Sequence, residues 1–119
     1  MNKNYDEILS NIILTLGISP STVGSLHLTE AVKMMIERPE LKMSITKGLY
    51  KELAEKFNTK CANVERAIRH ALDVSFAKNR IIELNKIFKV KIYKRAERPS
   101  NSEIIALLAE RIPYLINKK

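Results

Sequence analysis

Residues 50–70 of the chain, YKELAEKFNTKCANVERAIRH, predict two helices that are joined by a tight turn. Apolar residues of the first helix recur at spacings of three and four, which places them on one buried face. These residues are Leu49, Leu53, Ala54 and Phe57. Asn58 follows where the chain has to pass through a left-handed backbone conformation, which Asn adopts more readily than most residues. The pattern is typical of a helix-turn-helix.

The second helix of this pair has two faces of opposite character. Its apolar face comprises Val64, Ala67, Ile68, Ala71, Leu72 and Phe76. At about 100° per residue, the opposite arc carries Glu65, Arg66, Arg69, His70 and Asp73. One face would pack on the domain, and the other would be open to DNA. An ordinary amphipathic helical hairpin with a solvated charged face is the alternative, and the pattern alone does not choose between the two.

Two segments, SITKGLYKELAEKFNT at 44–59 and NVERAIRHALDV at 63–74, resemble the C-terminal effector domain of the sporulation-initiation response regulator. The resemblance extends from Leu16-Gly17-Ile18 to the segment PSNSEIIA at 99–106, so it covers nearly the whole chain. It implies an all-helical, DNA-binding transcription regulator. It further implies a target element with a TGTCGAA-like core, usually present as repeated sites that are bound by paired domains.

The resemblance also implies roles for individual residues. Glu65, Arg66, Arg69 and His70 match the family's ERAIRH segment, in which charged positions face bases and phosphates. Asn63 departs from the family's pattern, which has an arginine at this position near the start of the recognition helix. The loss of that cation bears on both the affinity for DNA and the base that is read there.

The chemistry of these side chains suits base recognition. Arg66 is the first candidate, because a guanidinium donates two parallel hydrogen bonds to guanine O6 and N7. Glu65 can accept from cytosine N4 or orient a neighbouring arginine, and its alternative role is a surface ion pair with Arg69. His70 can donate to a phosphate or only border the surface. The candidates for phosphate contacts are Lys60, Lys78 and Lys94.

Charge is spread unevenly along the chain. The net charge of +8 divides into −2 for residues 1–40, +4 for 41–79, +5 for 80–98 and +1 for the rest. This asymmetry favours double-stranded DNA as a partner and a steep salt dependence of binding. No segment approaches the roughly 20 apolar residues of a membrane span, and there is no signal-peptide pattern, so we expect a cytoplasmic protein without a membrane partner.

Length and composition predict one all-α domain of about six helices. We expect a single DNA-binding effector domain over residues 1–119, with the helix-turn-helix at about 47–78 and no receiver domain. Outside that motif, helices are expected up to Leu16 and at 26–38, 40–47 and 80–88, and Gly24 and Ser25 are expected to lie in the loop before the helix at 26–38. A last helix is expected after a capping box of Ser100 and Glu103, with Pro113 kinking or ending it. Residues 90–98, VKIYKRAER, are expected to be a basic loop along the DNA backbone, because an isolated strand would have no partner.

No motif in the sequence indicates an enzyme. His27 and His70 are the only histidines, Cys61 is the only cysteine, and no glycine-rich phosphate loop or metal-ligand spacing is present. We therefore expect no catalytic residue, cofactor, metal or small-molecule substrate. Cys61 is expected to be a small, half-buried spacer in the turn, and a redox-sensing thiol is the alternative.

The resemblance further implies that the segment after the recognition helix, here Arg80–Ile92, contacts the sigma subunit of RNA polymerase. The chain departs from the family in this segment, with several extra cations and with Asn79 where a glycine is expected. Two functions therefore stand side by side. One is a sequence-specific transcription regulator. The other is a protein-interaction module that modulates a full-length regulator or RNA polymerase without specific DNA reading. Asn63 also favours it, and so does Gly48, which stands where the resemblance implies a larger apolar residue.

Overall fold

The computed structural model describes residues 2–94 and 97–117, and these form six α-helices with short connections. The helices are α1 (Asn2–Thr15), α2 (Val23–Glu37), α3 (Lys51–Lys56), α4 (Cys61–Ala77), α5 (Glu83–Phe88) and α6 (Asn101–Asn117). A 3₁₀ helix (Pro39–Met43) and a π-helical segment (Ile45–Tyr50) lie between α2 and α3. The described residues contain no strand, so the predicted all-α fold class is confirmed.

Helix α2 is the centre of the domain and packs against α1, α3, α4 and α6. Leu28, Ala31 and Val32 are fully buried in it, as expected for a helix that is surrounded by others. The facing positions of α6, Ile105 and Leu108, are also fully buried. One continuous core therefore fixes the position of α4 on the domain.

Helix α2 begins at Val23, three residues before the predicted start at Leu26. Thr22 caps it, because its Oγ1 accepts a hydrogen bond from the Ser25 N–H at 3.2 Å. Gly24 was expected to lie in a loop, but it lies in the first turn of this helix. The prediction was wrong because a glycine can also be required inside a helix. At position 24 the backbone of a neighbouring helix packs so closely that a β-carbon would not fit.

A single short helix at 40–47 was also predicted, and this is wrong. The 3₁₀ helix ends at Met43, and after Ser44 the chain starts a new helix that runs through the π-helical segment into α3 without a break. The Ser44 carbonyl accepts from the N–H groups of both Gly48 and Leu49 at 3.0 Å, which widens the first turn. The first helix of the pair therefore starts at Ile45, and Gly48 does not interrupt it.

The last two helices follow the sequence closely. Helix α5 starts at Glu83, after a turn at 81–82, and ends at Phe88 as predicted. Ser100 and Glu103 form the predicted capping box, since Ser100 Oγ accepts from Glu103 N at 3.2 Å and Glu103 Oε1 accepts from Ser100 N at 2.8 Å. Pro113 does not end α6, which continues to Asn117.

Candidate nucleic-acid interface

Helices α3 and α4 are joined by a four-residue turn, residues 57–60. Asn58 has φ = 55°, so the predicted left-handed conformation is confirmed. The Thr59 N–H donates to the Ala54 carbonyl at 2.8 Å, and the Lys60 carbonyl accepts from Asn63 N and Val64 N at 3.0 and 3.1 Å. These bonds end one helix and start the next, which is consistent with a helix-turn-helix.

The apolar face of α4 packs into the core as predicted. Val64, Ile68 and Leu72 are fully buried, whereas Ala67 and Phe76 are only half-buried. The opposite arc is exposed and consists of Asn63, Arg66, Arg69, His70 and Asp73. The sequence therefore placed the open face of this helix correctly, except at one residue.

That residue is Glu65, which is half-buried at the edge of the open arc. Its carbonyl accepts a hydrogen bond from Asn101 Nδ2 at 3.0 Å, so this edge of α4 lies against the start of α6. The Glu65 carboxylate remains accessible, and its Oε2 accepts from Arg69 Nη1 at 3.2 Å. The ion pair that was considered as an alternative role for Glu65 is therefore present.

Arg66 is linked to the turn through Asn63. Asn63 Nδ2 donates to Thr59 Oγ1 at 3.0 Å, and Asn63 Oδ1 accepts from Arg66 Nη1 at 3.4 Å. The sequence predicted only that position 63 lacks the positive charge of the family pattern. The signal that could have revealed the link is the spacing of Asn63, four residues after Thr59 and three before Arg66, which places all three on one side of the helix start.

The predicted phosphate-binding lysines differ in their surroundings. Lys60 precedes α4 and Lys78 follows it, so the two are separated by the roughly 25 Å length of a 17-residue helix. Lys78 Nζ donates to the Gly17 carbonyl at 2.9 Å, and Arg80 Nε donates to the Thr15 carbonyl at 2.9 Å. Both cations thus satisfy carbonyls at the end of α1. Lys94 is exposed.

A flank of α4 that the sequence did not reveal is formed by the residues before α6. Arg98 Nη2 lies 2.7 Å from Asp73 Oδ1, Arg98 Nε donates to the same oxygen at 2.9 Å, and Nη2 also donates to the Arg69 carbonyl at 3.1 Å. A groove of about 610 Å³ lies beside these contacts and is lined by both acids and bases, among them Glu65 and Glu103. The groove therefore carries charges of both signs, several of them paired with each other, and it does not favour a small ligand of one charge.

Three other features bear on the site. Cys61 is half-buried, as expected of a spacer at the start of α4. In the described part of the chain, no group of three or more His, Cys, Asp and Glu residues is arranged to hold a metal ion. Over the same residues, no helix has the length and apolar character needed to cross a membrane.

Comparison with known protein families agrees with the geometry. The model of the family described as sporulation initiation factor Spo0A, C terminal, matches residues 9–112, which contain the whole helix pair and its flanks. The resemblance in the sequence is thereby confirmed. This is a family of DNA-binding domains of transcription regulators and not a family of enzymes. The chain therefore belongs to the family of the C-terminal domain of sporulation initiation factor Spo0A, and it is a DNA-binding domain of the sporulation-regulator type.

Proposed function

We propose that the chain is a sequence-specific transcription regulator that reads a TGTCGAA-like element by inserting α4 into the major groove of DNA. The observation that carries this proposal is the exposed arc of α4, on which Arg66 and Arg69 project from a helix whose opposite face is buried at Val64, Ile68 and Leu72. A rigidly packed helix with two guanidinium groups on its open face suits major-groove recognition, because each guanidinium can form a bidentate contact with guanine.

Arg66 is the proposed principal base-reading residue. It lies in the second turn of α4, and recognition helices contact base edges mainly with their N-terminal residues. Its hydrogen bond to Asn63 is long, at 3.4 Å, and uses one of five guanidinium donors. Asn63 can therefore direct the side chain outward while the remaining donors stay available for guanine O6 and N7.

Glu65, Arg69 and His70 are proposed to complete the reading surface. The ion pair occupies one Nη of Arg69, so Glu65 orients this guanidinium and can itself accept from cytosine N4 at the edge of the groove. His70 is exposed on the other side of Arg66 and is placed to donate to a base or a phosphate. In this arrangement the Glu65 carboxylate contributes to specificity and not to general affinity, because it carries the same charge as the phosphates and cannot bind them.

Lys60, Lys78 and Lys94 are proposed to contact phosphates. Lys60 and Lys78 stand at the two ends of α4 and would meet the strands that border the groove. Lys78 donates one hydrogen bond to Gly17, and an ammonium group carries three donors, so it can hold the end of α1 and a phosphate together. Such contacts fix the register of α4 on DNA without reading sequence.

We also propose the wider setting of this domain. Residues 1–119 act as one DNA-binding effector unit in the cytoplasm, and two such units pair on tandem sites. Contact with the sigma subunit of RNA polymerase would involve Arg80–Ile92. Arg80 Nε donates to the Thr15 carbonyl, which fixes this exposed side chain at the end of α1 and does not use its Nη donors.

A second candidate function is a protein-interaction module of the same fold that modulates a full-length regulator or RNA polymerase. The specific observation in its favour is Asn63, a neutral residue at the start of α4 where the resemblance implies an arginine. Under this alternative, the open arc of α4 would retain its shape but would not discriminate between DNA sequences.

The two functions are distinguished by fluorescence anisotropy of a labelled duplex with a TGTCGAA-like element against a scrambled duplex, at two salt concentrations. The first function predicts a preference of about a hundredfold or more that persists in added salt. It also predicts that Arg66→Ala removes this preference, whereas Lys42→Ala, which removes an exposed cation elsewhere, preserves it. Equal binding of both duplexes that collapses with salt would support the second function.

A further inference from the structure

The chain after α5 forms an exposed cationic surface, which we call the basic segment and define as residues 89–94. Lys89, Lys91 and Lys94 are exposed, and no acidic residue occurs within the segment. Tyr93 is half-buried, and Val90 packs against the core. The segment therefore turns Val90 and Tyr93 inward and its cations outward, while Ile92 is exposed, and it has no regular secondary structure.

One asparagine holds this segment in place. Asn85 Oδ1 accepts hydrogen bonds from the backbone N–H groups of Ile92 and Tyr93 at 2.9 and 3.0 Å, and Asn85 Nδ2 donates to the Tyr93 carbonyl at 2.8 Å. These three bonds satisfy backbone groups that would otherwise be paired by a neighbouring strand. The Asn85 amide therefore fixes the direction in which Lys91 and Lys94 project on either side of Tyr93.

Glu97 and Arg98, which follow the segment in the sequence, contact Lys94 and α4. The Lys94 N–H donates to Glu97 Oε1 at 2.7 Å, and Arg98 is bound to Asp73 and to the Arg69 carbonyl. Asp73 and Arg69 belong to the open arc of α4. The basic segment is thus fixed at one end by α5, and the chain that follows it is fixed to the helix that would enter the major groove.

We propose that the basic segment is a second DNA-backbone contact, positioned by Asn85, that lies along a phosphate strand bordering the groove occupied by α4. This inference rests on the proposed function, because α4 has to enter the groove for the segment to meet that strand. A fixed row of cations binds a polyanion with less loss of conformational entropy than a mobile one. Asn85 is a positioning residue: it holds the lysines but does not itself touch DNA.

The exposed chemistry of the segment favours DNA over a protein partner. Protein interfaces are anchored by aromatic and large apolar side chains and are depleted in lysine. Here the aromatic Tyr93 points inward, Ile92 is the one exposed apolar side chain of the segment, at 39%, and the other exposed side chains are lysines. Phosphates, in contrast, require only positive charge at the correct spacing.

The test is the salt dependence of binding to the TGTCGAA-like duplex and to the scrambled duplex, measured by anisotropy over a salt series. The slope of log K against log salt is negative, and each lost phosphate contact reduces its magnitude by about 0.9, so Lys91→Ala with Lys94→Ala should reduce the magnitude by about 1.8. Asn85→Ala changes no charge, yet it should also reduce the magnitude of the slope, by at least about 1. In the Asn85→Ala background, removing the two lysines should have a much smaller effect than in the parent protein.

Controls separate release of the segment from loss of the fold. Asn11→Ala, at an exposed asparagine of α1, and Lys42→Ala, at an exposed lysine between α2 and α3, should leave the slope nearly unchanged. Burial raises the pKa of Tyr93 to about 12, so Asn85→Ala should shift one tyrosine to a lower pKa in a difference absorbance titration. The two lysines are exposed, so their variant tests the DNA contact even where Asn85→Ala does not fold.

The results separate this inference from the proposed function. If sequence preference is retained but neither the lysine variant nor Asn85→Ala changes the slope, the inference is overturned while the proposed function stands. If the lysine variant changes the slope and a folded Asn85→Ala does not, the positioning role of Asn85 is overturned. If the parent protein shows no preference for the TGTCGAA-like duplex, the proposed function fails, whatever the slopes are.

Discussion

Gly24 lies against the Ala67 carbonyl so closely that a β-carbon at position 24 would be 2.4 Å from that oxygen and 2.9 Å from Ala71 Cβ. Helix α2 thus crosses α4 at a point where only a glycine fits. The contact is on the flank of α4, between the core and the exposed His70. The distance between the two helices, and with it the position of the proposed reading surface, depends on this missing side chain.

Gly24→Ala should therefore destabilise the domain by about 1–3 kcal/mol, because the obstructing atoms include backbone that cannot move alone. Urea unfolding followed by circular dichroism measures this. Gly48→Ala is the matched control: a β-carbon there meets only side chains, Ser44 Oγ at 3.1 Å and Leu41 Cδ2 at 3.3 Å, so the change should stay within about 1 kcal/mol. Equal effects of the two substitutions would contradict the close crossing.

The turn between α3 and α4 gives a second prediction. Asn58 has φ = 55° and an exposed side chain, so Asn58→Ala should lower the free energy of unfolding by about 1 kcal/mol through backbone strain. Asn58→Gly should be neutral or stabilising by up to about 1 kcal/mol. Asn11→Ala, at an exposed helical position, should change it by less than about 0.5 kcal/mol. Full stability of Asn58→Ala would count against the left-handed turn.

These two sites show what sequence could and could not predict. The left-handed Asn58 and the buried Leu49, Leu53 and Ala54 followed from local spacing, because a helix has one period and one face toward the core. Gly24 was taken for a loop residue. Its place in a helix depends on Ala67, which is distant in sequence, and no local pattern records that proximity.

The surroundings of the proposed site also include features that the sequence predicted and features that it did not. The open arc of α4 was predicted from periodicity, and the Glu65–Arg69 pair was among the alternatives because the two residues are four apart. The Arg98–Asp73 pair and the bonds of Asn85 were not predicted. In both cases the tertiary fold brings the two residues together. The sequence contains many other charged or amide side chains that could equally have been the partners.

Stability should depend on pH through His27. This side chain is 3% exposed, its ring packs edge-on against Phe57 at 5.0 Å, and its Nδ1 has no hydrogen-bond partner within the described structure. Desolvation by burial lowers the pKa of His27 below its usual 6.5. The neutral form is therefore favoured by folding, so its contribution to stability is complete above about pH 6.5 and is lost as the pH falls toward the folded-state pKa.

Thermal unfolding of the parent protein and of His27→Gln between pH 7.5 and about 5 tests this sign. The Gln variant cannot titrate at this position, so its unfolding temperature should fall less steeply on acidification than that of the parent protein. His70→Gln removes the other, exposed histidine and should leave the steepness unchanged. If the unfolding temperatures of His27→Gln and of the parent protein fell in parallel with pH, folding would not be coupled to the protonation of His27.

The last prediction concerns Asn63, whose Oδ1 accepts from Arg66 and whose Nδ2 donates to Thr59. Asn63→Ala removes the group that orients Arg66, so discrimination between the TGTCGAA-like and scrambled duplexes should fall, by up to about 1 kcal/mol for a long hydrogen bond. Asn63→Arg restores the cation of the family pattern. It should tighten binding to both duplexes and steepen the salt slope by about 0.9 if the new guanidinium meets a phosphate. Position 63 is exposed, so neither variant should change the free energy of unfolding by more than about 0.5 kcal/mol. Unchanged discrimination in Asn63→Ala would mean that Arg66 reads DNA without this support, or does not read it at all, and Arg66→Ala decides between those two cases.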